Sequence, residues 1–260
     1  AELDLARPGT LAAAVRALAP RLVVNAGAYT AVDAAESDAE TARRVNVEAP
    51  GVLAAEAARL DAPIVHFSTD FVFDGARGEP YAEGDETAPL GVYGRTKRDG
   101  ERAVAEAGGA HLVLRTSWVY GMRGRNFLLT VLRLAAERGE VRVVDDQRGA
   151  PTWSRMAAEG TAAVLARCAV PGGFALPEGR GGVYHLSAAG ETTWCGFARR
   201  LLALSPDPAA RAAQVVPIAT AEYPTPARRP GYSVLSGRRL RAHFGVALPP
   251  WEEQLALCMA

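Results

Sequence analysis

Short apolar runs alternate with helix-length stretches over the first 145 residues. Four runs of four or five residues have the nearly continuous hydrophobicity of buried parallel strands; they lie at residues 21–25, 63–67, 111–115 and 141–144. Helical stretches lie between them, at residues 38–59, on a helix that carries Tyr93 and Lys97, and at residues 127–138. Strands that alternate with helices predict βαβ units and a parallel sheet covered on both faces, a doubly wound α/β fold of the Rossmann type.

From residue 146 onward the alternation is less regular. A helix near residues 153–169, a strand at 183–186 and a helix from Thr193 are followed by proline-rich turns. We therefore expect a first domain over residues 1–145 and a smaller, mixed α/β lobe over residues 146–260 that is partly interleaved with it.

Three short segments directly follow predicted strands, at residues 26–30, 68–73 and 116–120. In a doubly wound sheet, ligands bind in the crevice outside the carboxyl ends of the strands. We therefore expect these segments to meet at one crevice, beside the helix that carries Tyr93 and Lys97.

Tyr93 and Lys97 stand four residues apart, so a helix places the phenol and the ammonium on one face. A cation there favours the phenolate, and we expect the pKa of Tyr93 to fall below its ordinary value of about 10. The hydroxyl of Thr69, at a predicted strand end, can share a substrate carbonyl oxygen with the phenol. These groups predict a carbonyl reductase with Tyr93 as general acid. The spacing alone also fits a solvated helix pair, so the prediction depends on the convergence of the strand ends.

Charge and cysteine content narrow the possible functions. Lys+Arg and Asp+Glu each total 29, and no basic stripe indicates a nucleic-acid partner. Three scattered cysteines fit a reducing compartment and oppose a disulfide framework or a structural zinc site. No apolar run approaches the ~18 residues of a membrane span, and the first residues do not resemble a signal peptide. We therefore expect a cytoplasmic protein that binds neither nucleic acid nor membrane.

Six motifs, in order along nearly the whole chain, resemble the extended short-chain dehydrogenase/reductases, and within them the dTDP-4-dehydrorhamnose reductase family. They lie at residues 24–36 (Val-Asn-Ala-Gly-Ala-Tyr-Thr-Ala-Val-Asp-Ala-Ala-Glu), 66–75 (His-Phe-Ser-Thr-Asp-Phe-Val-Phe-Asp-Gly), 93–97 (Tyr-Gly-Arg-Thr-Lys), 115–120 (Arg-Thr-Ser-Trp-Val-Tyr), 146–152 (Asp-Gln-Arg-Gly-Ala-Pro-Thr) and 223–230 (Tyr-Pro-Thr-Pro-Ala-Arg-Arg-Pro). The Ser-Thr-Asp and Tyr-x-x-x-Lys motifs belong to the superfamily, whereas the last motif is more particular to the reductase family.

The resemblance implies dinucleotide binding by residues 1–145 and substrate binding by residues 146–260. It implies three catalytic residues, Thr69, Tyr93 and Lys97. The implied site for NADPH or NADH consists of Asp4, Leu5, Ala26, Gly27, Ala28, Thr30, Asn46, Ser68, Tyr93 and Lys97. The implied substrate site consists of Val32, Thr69, Asp70, Phe71, Tyr93, Trp118 and Arg228, with Arg229 as a second arginine for a diphosphate. Simpler readings stay open, because small residues suit any tight turn, a strand-end tryptophan is often core, and paired arginines are often solvated.

The implied reaction is the NAD(P)H-dependent reduction of the 4-keto group of dTDP-4-dehydro-β-L-rhamnose to dTDP-β-L-rhamnose, in nucleotide-sugar and cell-surface polysaccharide biosynthesis. Two alternatives stay open: a reductase of another 4-keto sugar nucleotide, and a dinucleotide-binding regulatory subunit like the β-subunit of methionine adenosyltransferase. The expected oligomeric state is a monomer or a homodimer. Some relatives join through Mg²⁺ at acidic residues, but Arg155 stands at one of these positions. No metal ligand is therefore predicted, and Mg²⁺ is a minor alternative.

One departure from the family concerns the start of the sequence. Family members begin with a strand and a glycine-rich turn that holds the cofactor pyrophosphate at a helix N-terminus. No such turn precedes the strand at residues 21–25, although residues 2–5 resemble the family's short stretch near the adenine. We therefore expect the first βαβ unit to be truncated by about 30 residues, most simply because the sequence is a fragment.

Overall fold

The structure, a computed structural model, describes residues 3–260. Its helices are α1 (Pro8–Leu18), α2 (Val32–Ala35), α3 (Ala39–Arg43), α4 (Ala49–Arg59), α5 (Val92–Glu106), α6 (Phe127–Arg138), α7 (Ser154–Ala166), α8 (Trp194–Ala203), α9 (Pro208–Ala212), α10 (Arg238–Phe244) and α11 (Trp251–Met259). Its strands are β1 (Val23–Asn25), β2 (Ile64–Thr69), β3 (His111–Thr116), β4 (Val119–Tyr120), β5 (Glu140–Val144), β6 (Arg148–Gly149), β7 (Thr152–Trp153), β8 (Ala169–Val170), β9 (Gly173–Phe174), β10 (Gly182–His185), β11 (Thr192–Thr193) and β12 (Gln214–Ile218). A π-helical turn (Arg44–Glu48) joins α3 to α4, and 3-10 turns follow β2 (Asp70–Val72) and β12 (Thr220–Glu222).

A four-stranded sheet in the order β1-β2-β3-β10 forms the centre of the fold, and all its neighbouring strands are parallel. The register of β2 and β3 sets Thr69 opposite Thr116, so these two strands end side by side. The sheet confirms the predicted doubly wound α/β fold and the predicted strands near residues 21–25, 63–67 and 111–115.

Alternate side chains of the central strands pack on opposite faces of the sheet. Ile64 and Val113 belong to a cluster with α1, α4 and α5. Val65, Leu112 and Leu114 belong to a second cluster with α7 and α10. Since both faces are covered by helices, the near-continuous hydrophobicity of these strands in the sequence is explained.

One predicted strand lies outside the central sheet. The run at residues 141–144, expected as its fourth strand, forms β5 and pairs in parallel with β12 in a separate two-stranded sheet. Buried and exposed residues alternate along β5, as in a strand with one solvated face, whereas a central parallel strand is buried on both. The fourth place is taken by β10.

The two halves of the chain exchange elements. β10, from the second half, completes the central sheet, whereas α6 and β5, from the first half, pack with α8 and α11 in a third hydrophobic cluster. Elements from each half of the chain therefore pack with elements from the other half. The division at residue 145 stays a prediction.

Candidate active site

The carboxyl ends of β2 and β3 carry a buried carboxylate surrounded by hydroxyl groups. Asp70 is 2% exposed; its Oδ1 accepts a hydrogen bond from Thr69 Oγ1 at 3.0 Å, and its Oδ2 accepts one from Ser117 Oγ at 2.8 Å. Burial raises the pKa of Asp70 to about 6, although hydrogen bonds from Ser233, Ser117 and Thr69 oppose this effect. The predicted meeting of the segments after β2 and β3 is confirmed by these contacts.

Helix α5 approaches the strand ends through two glycines that contact backbone directly. A Cβ atom on Gly94 would lie 2.2 Å from the carbonyl oxygen of Phe71. A Cβ atom on Gly100 would lie 2.0 Å from the carbonyl oxygen of Asn46. Because no larger side chain fits at these distances, the two glycines fix how closely α5 can bring its tyrosine and lysine to the sheet.

Asn46 lies in the π-helical turn, and its side chain joins the loop after β1 to α5. Its Oδ1 accepts from the backbone N–H of Tyr29 at 2.9 Å. Its Nδ2 donates to the carbonyl oxygen of Tyr29 at 3.2 Å and to Thr96 Oγ1 at 3.1 Å. Single π-helical turns are frequent at functional sites. The side chain therefore braces the site through protein contacts, and a direct contact with a cofactor stays a prediction.

Tyr93 lies beside Thr69, which brings the predicted general acid and the predicted oxygen ligand together. Burial raises the pKa of Tyr93 to about 12; hydrogen bonding with the Thr69 hydroxyl opposes this shift, and the charge of Asp70 adds to it. The predicted lowering of this pKa by Lys97 is wrong in this structure, because the Lys97 amine donates to the carbonyl oxygen of Phe67 and burial dominates at the phenol. The phenol is therefore protonated at neutral pH, which is the state that a general acid needs, but a pKa this far above neutral opposes release of the proton.

Lys97 is buried and is the only lysine in the sequence. Its Nζ donates to the carbonyl oxygen of Phe67 at 2.6 Å and lies 3.4 Å from Nε2 of His66. Burial lowers the pKa of Lys97 to about 8, and the charge of Glu101 opposes this effect. All other basic residues among the 29 Lys and Arg are arginines. Because an arginine does not lose its proton in proteins, a lysine at this position can change its protonation state where an arginine could not.

The Ser-Thr-Asp motif contains one buried hydroxyl that makes no hydrogen bond within residues 3–260. Ser68 is buried, and its Oγ has no hydrogen-bond partner among residues 3–260. Burying a hydroxyl without a partner costs free energy, so such a group is expected to find one in the functional state. Ser68 directly follows Phe67, the residue whose carbonyl oxygen binds Lys97, and its contact with a cofactor stays a prediction.

The loop after β1 contacts the first described residues of the chain. A Cβ atom on Gly27 would lie 2.6 Å from Leu5 Cδ1, so the two residues are in close contact. Asp4 is exposed, and one of its oxygens lies 3.5 Å from Arg7 Nε. The remaining predicted cofactor residues of the loop are exposed or half-buried, namely Ala26, Ala28 and Thr30. Accessible small residues at a strand end suit a dinucleotide, and their contacts with one stay predictions.

Trp118 lies flat against a second tryptophan that sequence reasoning missed. The rings of Trp118 and Trp194 are stacked, with centroids 3.5 Å apart and planes 4° apart. The backbone of Trp118 has a φ of 46°, in the left-handed region, and a Cβ atom on Gly149 would lie 2.3 Å from its ring. This strained and closely packed placement is typical of functional sites. The contact with a sugar ring stays a prediction.

Val32 and Phe71, two further predicted substrate contacts, lie on elements that both contact α5. Val32 is the first residue of α2, and Phe71 lies in the 3-10 turn after β2; both are half-buried. The Phe71 ring meets the Tyr93 ring edge-on, with centroids 5.8 Å apart. The Phe71 side chain therefore borders the predicted general acid.

A cavity of about 760 Å³ opens between α6, β5 and the loop at residues 223–230. Trp194 and Arg229 both lie on its wall. Arg229 donates to Asp33 Oδ2 at 2.8 Å, which ties the loop to α2. Arg228, the predicted substrate contact, is exposed and is not part of this wall. Of the two adjacent arginines, Arg229 therefore lies on the cavity wall and Arg228 does not.

A buried ion pair lies beneath α5 and was not predicted from the sequence. Arg115 on β3 donates twice to the carboxylate of Glu101, at 2.8 and 2.7 Å, and both side chains are buried. Arg115 Cζ also lies 5.1 Å from the centre of the Phe73 ring. The sequence could have indicated only that Glu101 lies on the same face of the helix as Lys97, because residues four apart share a helix face. It gave no signal for the pairing of Glu101 with Arg115.

Within residues 3–260, no group of three or more His, Cys, Asp or Glu side chains is arranged to hold a metal ion. No helix in that range is long and apolar enough to cross a membrane.

A doubly wound sheet with Thr69 at a strand end and a Tyr-x-x-x-Lys helix beside it defines the class of the extended short-chain dehydrogenase/reductases. The comparisons with known proteins then narrow the class. The chain belongs to the family of the RmlD substrate binding domain, whose model matches residues 1–260.

Individual relatives match nearly the whole of this chain, which in turn covers most of their own length. The chain is 51% identical to a dTDP-4-dehydrorhamnose reductase of Burkholderia thailandensis, over 99% of this chain and 87% of that protein. It is 42% identical to a probable dTDP-4,6-dihydroxy-2-methyloxan-3-one 4-ketoreductase of Streptomyces antibioticus, over 97% of this chain and 82% of that protein. The crystal structure of a Bacillus anthracis dTDP-4-dehydrorhamnose reductase in complex with NADP is similar, with a TM-score of 0.87 and 31% identity over 98% of this chain and 86% of that one.

Proposed function

We propose that this chain catalyses the NADPH- or NADH-dependent reduction of the 4-keto group of dTDP-4-dehydro-β-L-rhamnose to dTDP-β-L-rhamnose. The observation that carries the proposal is the placement of the Tyr93 and Thr69 hydroxyls beside each other, with the buried Lys97 one turn further along α5. The relative with 51% identity supports the choice of substrate, and the similar structure with NADP supports the cofactor.

The chain's own residues supply the proton and the placement of the substrate oxygen. Tyr93 is protonated at neutral pH and donates its proton to the developing alkoxide. Thr69 Oγ1 accepts from the backbone N–H of Phe71 at 3.2 Å and directs its hydrogen to Asp70. Rotating that hydrogen toward the substrate oxygen makes Thr69 the second donor to the oxyanion. The bound dinucleotide supplies the hydride.

The residues fit a nicotinamide dinucleotide. The loop at residues 26–30 is accessible at the carboxyl end of β1 and contains Gly27, where a Cβ atom would meet Leu5. Ser68 Oγ lacks a partner among the described residues, and Lys97 is the adjacent cation. These groups would hold the nicotinamide half, and the loop would lie along the rest of the dinucleotide.

The cavity of about 760 Å³ fits the nucleotide part of the substrate. Its volume lies in the range of ordinary ligand sites, roughly 300–1,000 Å³. Arg229 supplies a guanidinium on its wall, which is suited to a diphosphate, and Trp194 joins the cavity to Trp118. We therefore assign the diphosphate to Arg229 and the sugar to the surroundings of Trp118.

A second candidate, reduction of another dTDP-linked 4-keto sugar, is favoured by the 42% identical Streptomyces ketoreductase. The test is NADPH oxidation with dTDP-4-dehydrorhamnose and with other dTDP-4-keto sugars, and dTDP-glucose, which has no ketone, is the control. We expect dTDP-4-dehydrorhamnose to give the highest kcat/KM. A higher value for another ketone would assign the chain to that substrate instead.

Tyr93→Phe tests the catalytic assignment. We expect kcat to fall by about 10²-fold or more, the usual contribution of a general acid, while the Kd of the sugar nucleotide is unchanged. Turnover equal to that of the wild type would refute the proton donor. Dinucleotide binding without turnover of any ketone would favour the regulatory subunit.

A cytoplasmic location and a monomeric or homodimeric state remain predictions.

A further inference from the structure

Behind the amine of Lys97 lies a row of buried polar side chains that the reaction as described does not use. Asn25 on β1, His66 on β2 and Lys97 on α5 are all less than a tenth exposed. Asn25 Nδ2 lies 3.0 Å from His66 Nδ1, and His66 Nε2 lies 3.4 Å from Lys97 Nζ. The imidazole ring thus lies between the amide nitrogen of Asn25 and the amine nitrogen of Lys97, and each faces a different ring nitrogen.

The orientation of Asn25 determines which nitrogen of His66 carries the hydrogen. Asn25 Oδ1 accepts from the backbone N–H of Gly27 at 3.2 Å, and this bond fixes the direction of the amide. Nδ2, a donor only, therefore faces His66 Nδ1, which must accept. Burial and the charge of Lys97 hold the pKa of His66 well below its ordinary value, so the ring is neutral and its hydrogen is on Nε2.

A donor on His66 Nε2 is poorly matched to a charged lysine. An ammonium group has three donors and no acceptor, whereas a neutral amine has a lone pair. The carbonyl oxygen of Phe67 receives one lysine hydrogen at 2.6 Å in either state. The His66 hydrogen therefore favours the amine over the ammonium. The lowered pKa of Lys97, about 8, has the same direction.

Other charges near Lys97 act in both directions. Glu101, on the same helix, raises the pKa of Lys97, but its carboxylate is bound by Arg115 from β3. Tyr93, one turn earlier on α5, is protonated, and Asp70 faces Tyr93 from the end of β2. None of these groups makes a hydrogen bond with Lys97 Nζ, so the imidazole is the one side chain within hydrogen-bonding distance of it in residues 3–260.

We propose that His66 is a positioning residue for the reduction: held by Asn25 with its hydrogen on Nε2, it sets the balance between the amine and ammonium forms of Lys97. Because Asn25 is itself held by the backbone of Gly27, the protonation of Lys97 is coupled to the loop at residues 26–30. This role rests on the proposed function only for its importance in turnover; the hydrogen-bond arrangement is a property of the chain.

The first test is the tautomer of His66, which needs no variant. The ¹⁵N shifts of labelled histidine distinguish hydrogen on Nε2 from hydrogen on Nδ1, and His66→Leu assigns the signal among the four histidines. We expect the Nε2–H form in the wild type. A wild-type ring with its hydrogen on Nδ1, or a charged ring near neutral pH, would overturn the proposal.

The second test is the titration of Lys97, which gives the only lysine side-chain signal in protein labelled with ¹³C-lysine. In Asn25→Asp, the carboxylate accepts from His66 Nδ1 and Nε2 becomes an acceptor for the ammonium. We expect the titration midpoint of Lys97 to rise by about one to two pH units, the usual effect of a hydrogen bond to a charged group. The new carboxylate also attracts Lys97 directly, so the double variant with His66→Leu is the matched control.

The double variant separates the two effects. If the tautomer carries the coupling, Asn25→Asp shifts the midpoint much less when His66 is absent. An equal shift with and without His66 would overturn the proposal. The midpoint is measured without turnover, so it is independent of the proposed substrate. In an active protein, the alkaline limb of the kcat/KM profile should move with the midpoint.

Discussion

The close approach of Gly94 to the carbonyl oxygen of Phe71 predicts a large effect from a single methyl group. In Gly94→Ala, the new Cβ would lie 2.2 Å from that oxygen, whereas ordinary contact begins at 3.4 Å. The α5 backbone and the turn after β2 must therefore separate by about 1 Å. That movement displaces Tyr93, the preceding residue, from Thr69.

The expected consequences concern both stability and rate. Overpacking costs about 1–3 kcal/mol, of which the higher helix propensity of alanine returns at most about 1 kcal/mol. A misplacement of about 1 Å lowers the rate by about 10²-fold. Urea denaturation measures the first quantity and NADPH oxidation the second. We expect the loss of kcat/KM to persist under conditions in which the variant is fully folded.

Gly9→Ala is the matched control, because Gly9 lies in α1 and a Cβ atom there has nothing within 4 Å. This substitution should leave kcat/KM unchanged and stabilise the protein by up to about 1 kcal/mol. If Gly94→Ala behaved like Gly9→Ala, the argument that α5 is positioned by its glycine contacts would be refuted.

Three further predictions test other contacts of the site. Glu101→Gln leaves Arg115 buried without its counter-charge, so the free energy of unfolding should fall by about 3–5 kcal/mol in chemical denaturation. Arg229→Ala should raise the KM of the sugar nucleotide about tenfold or more, with kcat nearly unchanged, whereas Arg228→Ala should have little effect. The native state favours protonated Asp70, whose pKa is raised from 3.8 to about 6. As the pH rises from about 4 to about 6, wild type should therefore lose up to about 3 kcal/mol of stability relative to Asp70→Asn, measured by denaturation at each pH.

The strand ends and the catalytic helix were predictable because their signals are local. Apolar runs defined β1, β2 and β3. Thr69 ends a predicted strand and Tyr93 lies on a predicted helix beside the strand ends, so the sequence was enough to predict that the two residues lie close together. The placement of β5 was not predictable in the same way. Strand pairing depends on which faces become buried, and a four-residue apolar run does not distinguish a central strand from one with a solvated face.

The electrostatics of the site were harder to predict than its residues. Spacing placed Tyr93 and Lys97 on one helix face, but the direction of the Tyr93 pKa depends on burial and on where the lysine amine points. The sequence contains no information on Asn25 turning its amide toward His66. Which of the two arginines, Arg228 or Arg229, lies on the cavity wall likewise depends on the path of one loop. Asp33, in a distant part of the sequence, binds Arg229 and holds that loop.

The single lysine makes side-chain amine chemistry a specific probe of this protein. Acylating reagents, reductive methylation and aldehyde cross-linkers have one side-chain target in the 260 residues, Lys97, and in the folded state it is only 2% exposed. The rate of its modification therefore reports how often the catalytic helix opens to solvent. Slower modification in the presence of NADPH would measure occupancy of the site directly, without any turnover.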